Sequence, residues 1–241
     1  MGPMLDWLLT PLSGASTHHV EPWLAWHARA MVLAWAVLVP LGTLAARFFK
    51  VTPHQDWPRE LDNPAWWHGH RLLQGAAVAA MLTGALFVWN RGAGASGAAL
   101  SSNGTPWSTL HGALGLALLI TAALQVAGAL ARGSKGGPTG RTLRGDHFDM
   151  TPRRVLFERI HKTLGWLAVA LSGPCIVLGL VVADAPRWML VALSLWWLAL
   201  TMCFVHWQRS GRCIDTYQAI WGPDPSLPGN RRAANARRSR S

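Results

Sequence analysis

The sequence predicts an all-α membrane protein: an antiparallel four-helix transmembrane bundle followed by a fifth, carboxyl-terminal transmembrane helix. Five apolar stretches each reach the roughly 20 residues needed to cross a bilayer. Of the 241 residues, 51% are hydrophobic and only 14% are charged, whereas charged residues make up about a quarter of a soluble domain. The net charge of +11 comes from short basic blocks between the apolar stretches. That pattern is typical of membrane topology, so we expect no nucleic-acid partner.

The predicted spans follow one another closely in the chain. They are 24–47, 70–89, 109–131, 161–183 and 187–207, within a transmembrane domain of residues 24–208. Pro40 and Pro174 fall inside the first and fourth spans and are expected to bend them.

The segments outside the spans are short. Residues 1–23 are predicted to form a periplasmic segment in the membrane interface, and residues 209–241 a basic cytoplasmic tail. We expect this tail and the glycine-rich loop 132–146 to be flexible. No role is predicted for residues 213–225.

Basic residues predict the orientation, because Lys and Arg mark the cytoplasmic side of a membrane protein. All but three of the 22 Lys and Arg residues lie on one side of the predicted topology, the exceptions being Arg29, Arg91 and Arg187. The sequence therefore predicts an integral protein of the bacterial inner membrane with a periplasmic amino terminus and a cytoplasmic carboxyl terminus. Membrane lipid is then a partner, and a homodimer remains an open alternative.

Four histidines each open one of the first four predicted spans: His27, His70, His111 and His161. Because successive spans run in opposite directions, His27 and His111 lie near the outer face, and His70 and His161 near the inner face. The first and third helices of a sequentially connected bundle are diagonal, as are the second and fourth, so each pair faces across the core. Ionisable groups at membrane depth indicate function by default. The sequence therefore predicts two functional histidine pairs.

A second histidine, His68, lies two residues before His70. Residues i and i+2 point about 200° apart on a helix, so only one of them can face the core. His70 is deeper and is predicted to face inward, which makes His68 an interfacial residue or a partner of a ligand. His18, His19 and His206 are predicted to be loop or interfacial residues.

Paired imidazoles at one depth favour axial ligation of haem iron. Zinc would require further N or S ligands, and no Cys, Asp or Glu lies at the right depth. Gly115 and Gly165 follow His111 and His161 by one turn on the same helix face, where a small residue leaves room for a porphyrin. Glycine also permits close helix packing, and histidines that only hydrogen-bond across helices are the alternative interpretation.

Four stretches carry a family resemblance: HARAMVLAWAVLVPLGTLAARFFK, WWHGHRLLQGA, LHGALGLALLITAALQVAGALAR and ERIHKTLGWLAVAL. They resemble the cytochrome b561 family over roughly residues 24–183, and we expect a bacterial-type member without an attached DOMON domain. The resemblance implies two non-covalent haem b groups, one held by His27 and His111 and the other by His70 and His161.

The same resemblance implies transmembrane electron transfer, as in an ascorbate- or quinol-dependent oxidoreductase. Electrons would pass from a cytoplasmic or quinol donor, small molecule or protein, to an acceptor across the membrane. It places Arg47 near the inner cofactor. Arg71 and Lys162 neighbour predicted ligands and either pair with haem propionates or extend to the interface. Two alternatives stay open: a haem-bearing anchor subunit of a larger oxidoreductase, and a haem-free membrane scaffold.

Overall fold

Five long apolar helices dominate the computed structural model of this protein, which describes residues 2–16, 19–94, 105–138 and 140–232. The chain is 70% helical, with no strand in the described ranges. Each of the five helices is long and apolar enough to cross a membrane, so the predicted fold class is confirmed. His18 and residues 233–241 of the predicted tail lie outside the described residues.

Eight α-helices and one π-helical turn make up the described structure. The first span consists of α2, the π turn and α3, and the second to fifth spans are α4 to α7. The elements are α1 (Pro3–Leu9), α2 (Pro22–Val32), the π turn (Leu33–Leu38), α3 (Val39–Phe48), α4 (Ala65–Gly94), α5 (Pro106–Leu130), α6 (Pro152–Val182), α7 (Arg187–Arg209) and α8 (Thr216–Trp221).

The fourth span begins nine residues earlier than the predicted start at residue 161. Pro152 occupies its first turn, and the Thr151 side chain accepts a hydrogen bond from the Arg154 backbone N–H. Threonine before the helix and proline at its first position are both favoured at helix starts. Hydropathy misses this start because the first turns carry charged residues and extend the helix beyond its apolar part.

The sequence suggested that each of the four histidines opens its helix, but all four helices begin earlier. Three of them follow the first residue of their helix by five positions and the fourth by nine: His27, His70, His111 and His161. Each ring is thereby set at least one full turn inside its helix.

The π turn of the first span lies directly before Pro40. Proline has no backbone N–H, so the carbonyl of Ala36 lacks its usual donor four residues further on. The indole N–H of Trp196 donates to this carbonyl at 2.7 Å. This bond attaches the fifth span to the bundle near the middle of the first span. Pro174, by contrast, lies within a continuous α6.

The bundle consists of two helical hairpins. The first span packs along the second, the third packs along the fourth, and the fourth also contacts all three parts of the first. A buried apolar core joins the hairpins, with Ala34, Trp35, Ala77, Leu118 and Ala168 among its members.

The connections on one side of the bundle fold into a small cap, built from residues 49–64, 133–138, 140–150 and 213–232. We call this side the cap face and the opposite side the far face. Tyr217 and Trp221 are buried in the cap, and the Tyr217 hydroxyl donates to the Phe148 carbonyl at 2.8 Å. The Gly137 N–H donates to the Leu143 carbonyl, also at 2.8 Å.

The described residues of loop 132–146 and of the tail make defined hydrogen bonds in the cap, and the flexibility of these two segments stays a prediction. The loop contains a tight turn at Gly137. This residue has a φ of +76°, which residues other than glycine rarely adopt. Asp146 then closes the loop by accepting the Ser134 backbone N–H at 3.0 Å.

Candidate functional site

The structure brings the four histidines together as two pairs. The ring centroids of His27 and His111 are 6.3 Å apart and their planes make an angle of 88°. Those of His70 and His161 are 6.4 Å apart at 78°. We call them the far-face pair and the cap-face pair, and the apolar core lies between them.

Three of the four rings are held by a backbone carbonyl of the neighbouring helix. His27 Nδ1 lies 2.9 Å from the carbonyl oxygen of Gly84, and His70 Nδ1 lies 2.9 Å from that of Gly42. The first and second spans thus orient each other's histidine.

His111 is oriented in the same way by the second hairpin. Its Nδ1 lies 2.9 Å from the Cys175 carbonyl oxygen. A carbonyl oxygen can only accept, so Nδ1 carries the proton in each of these three rings. In a neutral imidazole, Nε2 is then a free lone-pair donor. Metal-ligating histidines commonly show this arrangement, with the other ring N–H bonded to a carbonyl.

The carbonyl acceptors recur 14 or 15 residues after the histidine of their own span. Gly84 follows the histidine of its own helix, His70, by 14 residues, and Cys175 follows His161 by 14. Gly42 follows His27 by 15, and the first span has the π turn between these two positions, which accommodates one extra residue.

His161 departs from this pattern. Its Nδ1 is buried and has no hydrogen-bond partner in the described part of the chain. Phe157 stacks on the ring at a centroid distance of 5.2 Å, and Gln125 Nε2 donates to the His161 backbone carbonyl at 2.9 Å.

The ring separations are those of two imidazoles that share one metal ion. An imidazole nitrogen lies about 2.0–2.1 Å from a first-row metal ion and the ring centroid about 1.1 Å further, so two opposed rings have centroids about 6.3 Å apart. Among the described residues no three His, Cys, Asp or Glu side chains cluster as a metal site would need. Each pair can therefore supply two protein ligands.

The two predicted glycines have different surroundings. A β-carbon on Gly115 would meet no atom within 4 Å, so the surface beside His111 is open at this point. A β-carbon on Gly165 would lie 3.1 Å from Gln125 Nε2, so that position faces a side chain. Their role beside a cofactor stays a prediction.

The predicted cations also differ. Lys162 pairs with Glu158 at 2.8 Å. Arg47 donates to Gln208 at 2.8 Å, and its Nε is buried without a partner in the described structure.

Arg71 is the predicted cation whose positive charge has no carboxylate partner in the described structure. Its guanidinium lies over the Trp67 ring at 5.7 Å, and that of Arg132 lies over the same ring at 4.6 Å. Neither makes an ion pair within the described ranges. Burial, and then the nearby charges of Arg154 and Arg71, lower the pKa of Arg132 from its usual value.

The remaining histidines lie apart from the two pairs. His68 and His206 are exposed, as expected for residues outside the core, and His19 lies 3.5 Å from Glu21 on the surface. His147 is buried in a loop of the cap, where desolvation lowers its pKa from 6.5 to about 4.

Lys50 connects two segments of the cap, 49–64 and 213–232. Its amine donates to the Ile214 carbonyl at 2.8 Å. Burial is the main cause that lowers the Lys50 pKa from 10.5 to about 8, and the charge of Asp215 opposes it.

Sequence reasoning missed the residues that orient the rings. Gly42, Gly84 and Cys175 act through their backbone carbonyls. Gly179 also belongs to this set, because a β-carbon there would stand 2.9 Å from His111 Cε1. The signal that could have found Gly42, Gly84 and Cys175 is their recurrence 14 or 15 residues after a histidine.

Fold and site together define a helical membrane protein with two intramembrane histidine pairs. No known protein-family profile matches the chain, and no solved structure matches it. The Arabidopsis thaliana protein named cytochrome b561, DM13 and DOMON domain-containing protein is 27% identical over 165 residues, 68% of this chain. The chain spans only 15% of that relative's length.

Proposed function

We propose that this protein carries electrons across a membrane through two haem b groups, one bound by each histidine pair. The observation that carries the proposal is the pairing of imidazoles at 6.3 and 6.4 Å, with three of the four rings fixed through Nδ1 so that Nε2 is free. The distant similarity to a protein named as a cytochrome b561 points to the same function.

The ligand number favours haem over a bare metal ion. A structural zinc site takes four protein ligands and a catalytic one three, whereas each pair offers two. A porphyrin supplies the other donors itself, and histidine is its usual axial ligand. The opening beside Gly115 is consistent with a flat cofactor at the far-face pair.

The chain's own residues would hold the cofactors and exclude water. His27 and His111 are the proposed ligands on the far face, and His70 and His161 those on the cap face. When bound, haem supplies a one-electron redox centre. The apolar core between the pairs tunes its potential by keeping solvent away.

Cations at the cap face fit a cofactor with carboxylates. Arg71 follows His70 directly in the sequence and has no carboxylate partner in the described structure, so we propose that it pairs with a propionate. Lys162 already pairs with Glu158, and Arg47 already donates to Gln208. We therefore propose that these two cations act only through the positive electrostatic potential that they add at the site.

We propose that the cap face is cytoplasmic and that the protein lies in a bacterial inner membrane, since Lys and Arg concentrate on the cap side. A quinol, or a small-molecule or protein donor on that side, would then deliver electrons for an acceptor beyond the far face. A cysteine at Ser13, on the far face, should react with an impermeant maleimide added to spheroplasts. A cysteine at Ser226, in the cap, should react only after lysis. The opposite result would reverse the orientation.

The ligand assignment is tested by haem content. The purified protein is expected to contain two haems per chain, with b-type absorption bands. His27→Ala and His111→Ala should each lose one haem and retain the other, and His70→Ala and His161→Ala should each lose the second. His206→Ala, an exposed histidine of a spanning helix, is the matched control and should keep both.

Two results would contradict the proposal. A folded protein with no b-type bands after expression with ample haem would remove the electron-transfer function and leave a membrane scaffold. Loss of both haems equally from every single variant would remove the pairing. Reduction only in the presence of a copurifying subunit would instead make the chain an anchor subunit of a larger oxidoreductase.

A further inference from the structure

Each hairpin has a glutamine that packs on a glycine of its neighbouring helix, but the two residues occupy opposite helices in the two hairpins. In the first hairpin, Gln74 follows His70 by one turn and packs on Gly42, where a β-carbon would lie 2.5 Å from Gln74 Nε2. In the second hairpin, glycine follows the histidine and the glutamine comes from the opposite helix: Gly165 faces Gln125.

This difference coincides with the missing carbonyl partner of His161. By the 14-residue spacing from His111, Gln125 occupies the position that corresponds to Gly42 in the first hairpin. At Gly42 the backbone carbonyl accepts the His70 Nδ1–H. At Gln125 the side chain, and not the backbone, approaches the histidine.

His161 and Gln125 each have one unused polar group. Gln125 Nε2 donates to the His161 carbonyl at 2.9 Å, and Gln125 Oε1 accepts no hydrogen bond from any described residue. His161 Nδ1 is buried and unpaired over the same set of residues. A buried donor without a partner is costly, and the free amide oxygen belongs to a residue already bonded to His161.

We infer that Gln125 is the positioning residue of His161. Its amide oxygen accepts the His161 Nδ1–H and does for this ring what backbone carbonyls do for the other three. The inference rests on the proposed function, because the purpose of the bond is to present Nε2 of His161 to haem iron. The cap-face site would then differ from the far-face site, because one of its histidines is oriented by a side chain, which a substitution can remove.

The expected effect is specific to one haem. Removal of the hydrogen-bond partner of a metal-ligating histidine lowers metal affinity by about 10–100-fold. Gln125→Leu, which keeps the volume and removes both polar groups, should weaken the cap-face haem by about that factor and leave the far-face haem unchanged.

The matched control is Gln74→Leu, the same substitution at the glutamine of the first hairpin. His70 Nδ1 keeps the Gly42 carbonyl in that variant, so the affinity of the cap-face haem should change by less than about threefold. A third variant, Gln125→Glu, retains an acceptor oxygen at the same place and should keep the haem.

The experiment titrates the purified full-length apoproteins with haemin and follows absorbance, with the midpoint potential of each haem as a second measurement. We expect the potential of one haem to move in Gln125→Leu and neither to move in Gln74→Leu. Equal behaviour of Gln125→Leu and Gln74→Leu, or loss of haem in Gln125→Glu as in Gln125→Leu, would overturn the inference. Failure of the wild-type chain to bind any haem would instead overturn the proposed function.

Discussion

Gly179 leaves room for the ring of His111, since a β-carbon at Gly179 would lie only 2.9 Å from Cε1 of that ring. Nδ1 of the same ring lies 2.9 Å from the carbonyl oxygen of Cys175, four residues earlier on the same helix. The face of α6 that receives His111 therefore combines an acceptor for Nδ1 with the absence of a side chain next to Cε1.

Gly179→Ala should displace the His111 ring and weaken the far-face haem. Alanine is otherwise the better helix former by about 1 kcal/mol, so any loss must come from the contact with the ring. The haem-to-protein ratio of the purified variant is expected to fall from two towards one, while the cap-face haem remains.

Gly173→Ala is the control for that substitution. It lies in the same helix, and a β-carbon there would meet no atom within 4 Å. It should retain both haems. Retention of both haems in Gly179→Ala as well would show that the ring has room to move.

Trp196→Phe should loosen the attachment of the fifth span. The variant loses the indole N–H that bonds to the Ala36 carbonyl at 2.7 Å, an interaction that contributes about 0.6 kcal/mol on average between membrane helices. We expect a lower unfolding midpoint in detergent. Trp188→Phe, on the same helix and at an indole without a hydrogen bond in the described structure, should change it less.

Pro40 explains why that bond matters and provides a second comparison. Pro40→Ala restores an N–H that can donate to the Ala36 carbonyl. The destabilisation caused by Trp196→Phe should therefore be smaller in the Pro40→Ala background. Strictly additive effects of the two substitutions would argue against a shared carbonyl.

The spans were predictable from sequence because each apolar run is long enough to identify by composition alone. The pairing of His27 with His111 was predictable because alternating helix direction fixes the side of the membrane. The start of α6 at Pro152 was not, since its charged first turns resemble a loop in hydropathy, although Thr151 and Pro152 are a recognisable helix start.

The surroundings of the rings were harder to predict, because backbone carbonyls carry no side-chain signature. Nothing in the residue types of Gly84 or Cys175 indicates that their carbonyls bond to histidines. The folded cap was missed for a related reason. Its glycine-rich loop has the composition of a flexible linker, and its folded conformation comes from contacts with Tyr217 and Trp221, which lie far away in the sequence.

Gly137→Ala should open the cap. Gly137 has a φ of +76°, and a β-carbon would stand 2.6 Å from the Trp221 ring. Gly211 has a similar φ of +74° with nothing within 4 Å, so Gly211→Ala carries the backbone strain alone. Limited proteolysis is expected to cleave the cap faster in Gly137→Ala than in Gly211→Ala, and equal cleavage would show that the contact with Trp221 is unimportant.

His147 should make the cap sensitive to acid. Its ring is buried against Tyr217 and Trp221, with centroids 6.0 and 5.9 Å away, and desolvation lowers its pKa from 6.5 to about 4. Between these two values the unfolded chain binds a proton at His147 that the folded protein does not. The free energy of unfolding therefore falls as the pH drops from 6.5 to about 4, by at most about 1.4 kcal/mol per pH unit from this residue.

His147→Phe keeps an aromatic ring in the cap and removes the titrating group. The pH dependence of unfolding, followed by tryptophan fluorescence between pH 4 and 6.5, should be less steep in this variant than in the wild type. His54→Phe replaces an exposed histidine of the cap and is the matched control, which should leave the slope unchanged. Identical slopes in His147→Phe and the wild type would mean that the acid response originates in the bundle and not in the cap.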